Sequence, residues 1–160
     1  MTAAPVLAAD SGVTIQSDLL GNIVVSTVDL LEFPQGLYGF PDCHVFALLP
    51  APREGLYWLQ SCEFKALAFV MVDPFVHFSG FNIDLSTTEL ARLGTSEPTD
   101  ILVLAIVTMP SERGHPLTAN LQAPVLFNVR DRRAFQAIRS EDGNGIREPF
   151  FVQDESVAVA

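Results

Sequence analysis

Apolar and polar residues alternate in short bursts along most of this chain, and glycine and proline cut the bursts apart. Val13-Thr14-Ile15-Gln16 alternates, Leu20-Gly21-Asn22 interrupts, and Ile23-Val24-Val25 resumes in β-branched residues, the pattern of strand, turn and strand. Val28 to Phe33 reads as the next strand, stopped by Pro34, which cannot donate to a ladder. Gly36 and Gly39 then flank Leu37-Tyr38 ahead of Pro41, a density of glycine and proline that predicts a sharp reversal with positive φ. Strands follow over Cys43 to Leu49, Leu56 to Ser61 and Leu67 to Val72, and after Asp73-Pro74 the sheet resumes over Phe81 to Leu85. The period changes at Ser86-Thr87-Thr88-Glu89, a capping box in which the Ser hydroxyl accepts from the amide of Glu89 while Glu89 reaches back. With Leu90, Leu93 and a terminating Gly94 it predicts one short helix. Asp100 to Met109 is the most apolar strand and reads as buried on both faces. Thr118 to Leu121, Pro124 to Val129 and Arg133 to Arg139 complete the set, and Asp142-Gly143-Asn144-Gly145 reads as a turn. Residues 1–11 read as a disordered leader and 152–160 as a flexible tail, which leaves one domain over 12–151. About ten short strands with one short helix predict a mainly β, antiparallel, barrel-like single domain, because closure removes exposed strand edges.

Composition narrows the function. A chain of 160 residues, 49% of them apolar and 18% charged, is one domain with enough core to fold without disulfide or metal. Nineteen Asp and Glu against nine Lys and Arg leave a formal charge of −10. That argues against direct nucleic-acid binding, which needs a basic face, and favours basic partners. Cys43 and Cys62 form no CxxC, and His44, His77 and His115 are scattered, so both cysteines read as buried reduced thiols and neither metal nor cofactor is expected. The leader lacks a basic n-region and fails as a signal peptide. The longest apolar run, Ile101 to Met109, is far shorter than the roughly 20 residues of a membrane span. A cytoplasmic protein without membrane association is expected.

Catalytic patterns are sparse. The histidines make no HxH or HExxH, Ser61 lacks a GxSxG turn, and there is no phosphate loop. Asp73 and Asp84 read as structural carboxylates, Asp73 as a strand terminator before Pro74. A small-molecule-binding barrel or unrecognised hydrolase using Asp73 and His77 stands as the alternative, and a general chaperone as a third reading. Arg130-Asp131-Arg132-Arg133, with Arg139 beyond, reads as a solvated hairpin turn. Phe69, Phe75, Phe78 and Phe81 read as core rather than as a base-stacking platform. Gln60, Ser61, Asn120, Gln122 and Asn128 place polar groups at strand ends, where they either bind a partner's backbone or satisfy their own turns. Asp73, Pro74 and Phe75 combine a carboxylate with an aromatic anchor. These eight are the candidate protein-binding residues, Gly36 and Gly39 shape the loop, and the expected class is a binding module without catalytic residues.

Four stretches together resemble the FliW family of bacterial flagellar assembly factors. Phe33-Pro34-Gln35-Gly36-Leu37-Tyr38-Gly39-Phe40 is similar to that family's F-x-x-G-I-P-G-F loop, and Leu59-Gln60-Ser61 to its LQS strand end. Leu67-Ala68-Phe69 through Asp73-Pro74-Phe75 resembles its LAF…DPF segment, and Asn120 through Asn128 its NL-x-A-P-I-x-x-N segment. The likeness covers roughly residues 12–151. Tyr38 stands where the loop has its proline, and Pro41-Asp42 where an acidic residue directly follows the phenylalanine. The resemblance implies a non-enzymatic cytoplasmic regulator that binds newly made flagellin and the translational repressor CsrA. Freed when flagellin is exported, such a protein captures CsrA non-competitively, beside its RNA-binding face, and lifts repression of flagellin translation.

Overall fold

The computed structural model describes residues 12–139 and 143–151; the expected leader 1–11, the tail 152–160 and Asp142 of the expected turn lie outside the described residues. Two antiparallel strands, β1 (Gly12–Ser17) and β2 (Gly21–Ser26), form a separate hairpin. The main sheet runs through β3 (Leu30–Glu32), β4 (Val45–Pro50), β5 (Leu56–Ser61), β6 (Ala68–Val72) and β7 (Ile101–Thr108). It continues in β8 (Leu117–Ala119), β9 (Val125–Asn128), β10 (Arg133–Gln136) and β11 (Glu148–Phe150). Two short helices, α1 (Pro74–His77) and α2 (Thr87–Arg92), lie between β6 and β7.

Closure falls to β7. One of its edges carries β6, with Val70 opposite Val107 and Val72 opposite Ala105. The other carries β9 along Ile101 to Leu104 and β8 at Val107 and Thr108. The ring β7-β6-β5-β4-β3-β10-β9 is therefore a closed seven-stranded barrel, with β8 and β11 extending from β7. All pairings are antiparallel except β3 with β10, which run parallel where Glu32 meets Arg133.

Alternation along the strands separates inside from outside. Phe46 of β4, Leu59 of β5, Met71 of β6, Leu104 of β7 and Phe127 of β9 fill the barrel with Leu31, Phe33 and Ala134. Phe33 meets Phe46 and Phe127 edge-on at centroid distances of 5.0 and 5.9 Å, a geometry worth about 0.5–1.5 kcal/mol per pair beyond area burial. Neighbouring positions face outward under covers. Ala47 and Leu49 lie beneath the β1–β2 hairpin with Ile15 and Val25. Val103, Leu126 and Phe135 lie beneath Phe81, Ile83, Leu85 and Leu93.

The helix predicted from its capping box is present. Ser86 Oγ accepts from the Glu89 amide at 3.0 Å, Glu89 Oε1 accepts from the Ser86 amide at 2.9 Å, and Gly94 follows at φ +80. Four features differ from the sequence reading. A second helix, α1, begins where Asp73-Pro74 was expected only to end a strand, because the Asp73 carboxylate caps it by accepting from the Phe75 amide at 2.9 Å. Residues 27–29 are a 3₁₀ turn capped by Ser26 rather than part of a strand. Phe81 to Leu85 alternates as a strand does but belongs to no ladder; it is an extended strap whose apolar side chains press on the barrel. Residues 148–150, left unassigned above, form β11 against β8.

Candidate protein-docking surface

The strand directions bring the predicted residues to two opposite ends of the barrel. The first end gathers the exits of β3, β5, β7 and β10 and the starts of β4, β6 and β9. Gly36, Gly39, Gln60, Ser61, Asn120 and Gln122 lie here. Asp73, Pro74, Phe75 and Asn128 lie at the other end.

At the first end, the Phe33–Asp42 loop stoppers the barrel. Leu37 is buried in the interior cluster, and its backbone exchanges two hydrogen bonds with Phe40, at 3.2 and 2.8 Å. That two-residue turn needs Gly39 at φ +90. Gly36, at φ +67, lies so close to the Phe40 carbonyl and to Pro41 that a side chain there would meet backbone. The predicted positive φ values are thus observed at both glycines. Gln136 of β10 anchors the turn, its Oε1 accepting from the Tyr38 amide at 3.0 Å and its Nε2 donating to the Ala123 carbonyl at 3.1 Å.

This architecture pushes Tyr38 out. It is 62% exposed, Phe40 is 39% and Phe64, on the neighbouring β5–β6 turn, 49%. Between the loop and that turn lies an apolar depression of about 350 Å³ lined by Phe40, Pro41, Cys43, Phe64 and Leu67, with Asp42 at its edge. Glu63 stands beside it, one carboxylate oxygen accepting from the His44 and Val45 amides at 2.6 and 3.1 Å. The two carboxylates and burial raise the Cys43 thiol pKa above its ordinary value, burial being the larger cause. On the other side of the loop a second depression, about 240 Å³, is lined by Gln35, Tyr38, Arg92, Phe135 and Gln136.

The predicted polar residues mostly turn inward. Gln60 is fully buried: its Oε1 accepts from Ser17 Oγ at 2.6 Å and its amide nitrogen reaches the carbonyls of Ser61 and Leu67. Ser61 is also fully buried and caps the β5–β6 turn, accepting from the amides of Glu63 and Phe64. Asn120 Oδ1 accepts from the amides of Gln122 and Ala123, both at 3.1 Å, an Asx turn. Gln122 is half-buried, its carbonyl accepting from the Arg139 amide at 2.8 Å. Asn128 is buried and donates to the Leu93 carbonyl at 2.7 Å, holding the end of α2 to β9. At that far end Pro74 is buried, Asp73 caps α1, and Phe75 is 54% exposed, edge-on to Phe81 at 4.9 Å.

Other expectations resolve similarly. His77 Nε2 lies 3.1 Å from the Glu54 carbonyl, so it and Asp73 are each engaged with backbone rather than aligned as a pair. Of the Arg130–Arg133 segment, residues 130–132 form the turn, with Arg132 at φ +58 and Arg130 paired to Asp100 at 3.2 Å, and Arg133 opens β10. Arg139 is not part of a surface patch; it is buried against Glu89. Among the described residues no cluster of three or more His, Cys, Asp or Glu has metal-site geometry, and no helix is long and apolar enough to cross a membrane. Tyr38, Phe40, Phe64 and Arg92 were missed from sequence. The available signal was an aromatic between two glycines that both need positive φ, which puts a ring at the tip of a turn.

Fold and surface together define a small closed β-barrel with a glycine-shaped aromatic loop over one end. The chain belongs to the FliW family: the family described as the FliW protein matches residues 14–150. It is 35% identical over 127 residues to the flagellar assembly factor FliW of Treponema denticola, covering 79% of this chain and 86% of that one. Against the FliW of Leptospira interrogans it is 36% identical over 149 residues, covering 92% and 97%. A crystal structure of the flagellar assembly factor FliW superimposes with a TM-score of 0.79 at 30% identity, over 89% of this chain and 99% of that one. The expected barrel and the expected family are both present, and the chain is a flagellar assembly factor by family.

Proposed function

We propose that this chain works in the cytoplasm as a docking protein and not as a catalyst. It binds flagellin and, when flagellin is exported, captures the translational regulator CsrA. Capture takes place beside the RNA-binding face of CsrA and relieves repression of flagellin translation. Family membership supports the flagellar role. The observation that best supports docking is the loop end of the barrel, where Tyr38, Phe40 and Phe64 stand exposed around an apolar depression edged by Asp42. Exposed aromatics beside a concavity are the side chains that dominate protein interfaces, and the −10 charge speeds encounter with a basic RNA-binding partner. The β1–β2 hairpin pairs with no other strand among the described residues, which suits addition of an extended flagellin segment.

The experiment is calorimetry of the full chain with purified CsrA and with flagellin at low salt, followed by competition. The expected result is a complex with each, displacement of CsrA by flagellin, and capture of CsrA that RNA does not block by direct competition. Absence of any complex with active CsrA and with flagellin would remove this reading.

A further inference from the structure

We infer that Arg92 is a preformed carboxylate-recognition point for an acidic side chain within a partner polypeptide; the inference rests on the docking function proposed above. The guanidinium lies 3.7 Å over the ring of Phe135, and its Nη2 donates to Gln35 Oε1 at 2.8 Å. Among the described residues it has no ion-pair partner, whereas Arg130 is paired with Asp100 and Arg139 with Glu89. What sets Arg92 apart is that an aromatic ring and a side-chain amide both hold its guanidinium while no carboxylate occupies it. Stacking fixes the plane of the fork, and the Gln35 bond fixes its rotation. The remaining N–H donors are therefore oriented before a ligand arrives, which limits the side-chain entropy lost on binding.

The surroundings define the ligand. Arg92 lines the second depression with Tyr38 and Gln136, a cation beside an exposed aromatic wall. A planar carboxylate matches the guanidinium fork. Both depressions share Gly39 and Pro41 in their lining, so a segment anchored at Arg92 continues over the turn into the apolar depression beside Asp42. The carboxylate is assigned to a side chain, and the amidation arm of the test separates it from one at a chain end. The partner sequence that fits has an acidic residue with large apolar ones to one side of it, and a basic residue suited to Asp42 beyond them.

The test uses the full chain and its Arg92→Lys, Arg92→Gln and Arg92→Glu variants, titrated calorimetrically with flagellin and with CsrA at several salt concentrations, with thermal unfolding of each variant alongside. With one of the two partners, Arg92→Gln is expected to bind about tenfold more weakly or worse, the loss typical of a hydrogen bond to a charged group. Arg92→Glu should bind more weakly still, and Arg92→Lys should retain part of the affinity. One interior acid of that partner, changed to Lys, should restore binding to Arg92→Glu. The inference is overturned if Arg92→Gln binds both partners within twofold of the parent, or if only Arg92→Glu loses affinity, which is repulsion alone. It is equally overturned if amidating the partner's chain end, and not changing an interior acid, reproduces the loss. Should Arg92→Gln fail to fold, the Lys variant, which keeps the charge and loses the fork, makes the same comparison. A parent chain that binds neither partner removes the docking function and this site together, a result separate from a parent that binds with variants that match it.

Discussion

Ser17 Oγ donates to Gln60 Oε1 at 2.6 Å and, with the Asp18 amide donating to the Lys65 carbonyl at 2.9 Å, ties the β1–β2 hairpin to the barrel wall. Ser17 works twice, since the same oxygen accepts from the Leu20 amide at 2.8 Å and closes the hairpin turn. Gln60 works on both of its ends, holding the hairpin with its oxygen and the β5–β6 turn with its nitrogen.

Gln60→Ala should therefore cost more than an ordinary truncation. It leaves a cavity and removes the side-chain partner of the Ser17 hydroxyl and of the Ser61 carbonyl, and a loss of about 2–4 kcal/mol is expected. Urea unfolding of the purified variant measures it. Amide exchange should speed up in β1 and β2 before the barrel strands.

Gly36 and Gly39 should separate sharply. An alanine Cβ at Gly36 would press on the Phe40 carbonyl oxygen and lie 2.8 Å from Pro41 Cα, while the same atom at Gly39 meets nothing within 4 Å. Gly39→Ala bears only the positive-φ penalty, about 1–2 kcal/mol; Gly36→Ala bears that and a backbone clash. Thermal unfolding should show a clearly lower midpoint for Gly36→Ala.

Tyr38→Ala combined with Phe64→Ala should leave the melting temperature within a few degrees of the parent, because both rings are largely in solvent. Binding to at least one proposed partner should fall by about tenfold or more if these are interface anchors. Phe75→Ala, at the opposite end, is the matched control and should bind normally. The reverse pattern would move the docking surface to α1.

The thiol of Cys62 is pushed up to about 11, chiefly by burial and secondly by Glu63. At pH 8 roughly one such thiol in a thousand is ionised, so alkylation of the folded chain should be slow there and should accelerate as pH approaches 11. An unfolded chain releases this proton first, near the ordinary 9.0. The stability contribution is thus whole below pH 9 and falls as pH rises from 9 to about 11. Cys62→Ser should flatten that decline in alkaline unfolding curves.

Arg139 donates from one nitrogen to both carboxylate oxygens of Glu89, at 2.6 and 2.7 Å, and from the other to the Asp84 carbonyl at 2.6 Å. With both side chains mostly buried, Arg139→Met should cost about 3 kcal/mol, as removing one member of a buried pair does. Because the pair is shielded, the loss should change little between low and high salt.

Much of the barrel was legible because its strands have one wet and one dry face, or two dry ones. β5 was read to the residue, since Leu56 to Ser61 sits between two turns with unmistakable breakers. α2 was legible through Ser86 and Glu89, whose chemistry is local. The strap at Phe81, Ile83 and Leu85 was misread because alternation reports burial on one side and cannot report whether a ladder partner exists. α1 was missed because Phe75 and Val76 favour strands, while the single Asp73 cap outweighs them over four residues. The parallel meeting of β3 and β10 joins residues 32 and 133, a separation no local pattern encodes. Gln60 and Asn128 show the limit for sites. A polar residue at a strand end looks the same from sequence whether it faces a partner or, as here, a buried carbonyl.

The seam between β7 and β9 has a consequence for synthesis. The β1–β2 hairpin and then β3 to β8 can emerge and pair in order, but the ring stays open until Val125–Asn128 reaches Ile101–Leu104 and Arg133 reaches Glu32. Long-range joins of this kind form late, after their loop entropy can be offset. No shut ring can therefore exist before Arg133 has been made. A chain that stops short of Arg133 offers an unsealed cylinder, so the aromatic loop acquires its stopper geometry only once that residue is in place.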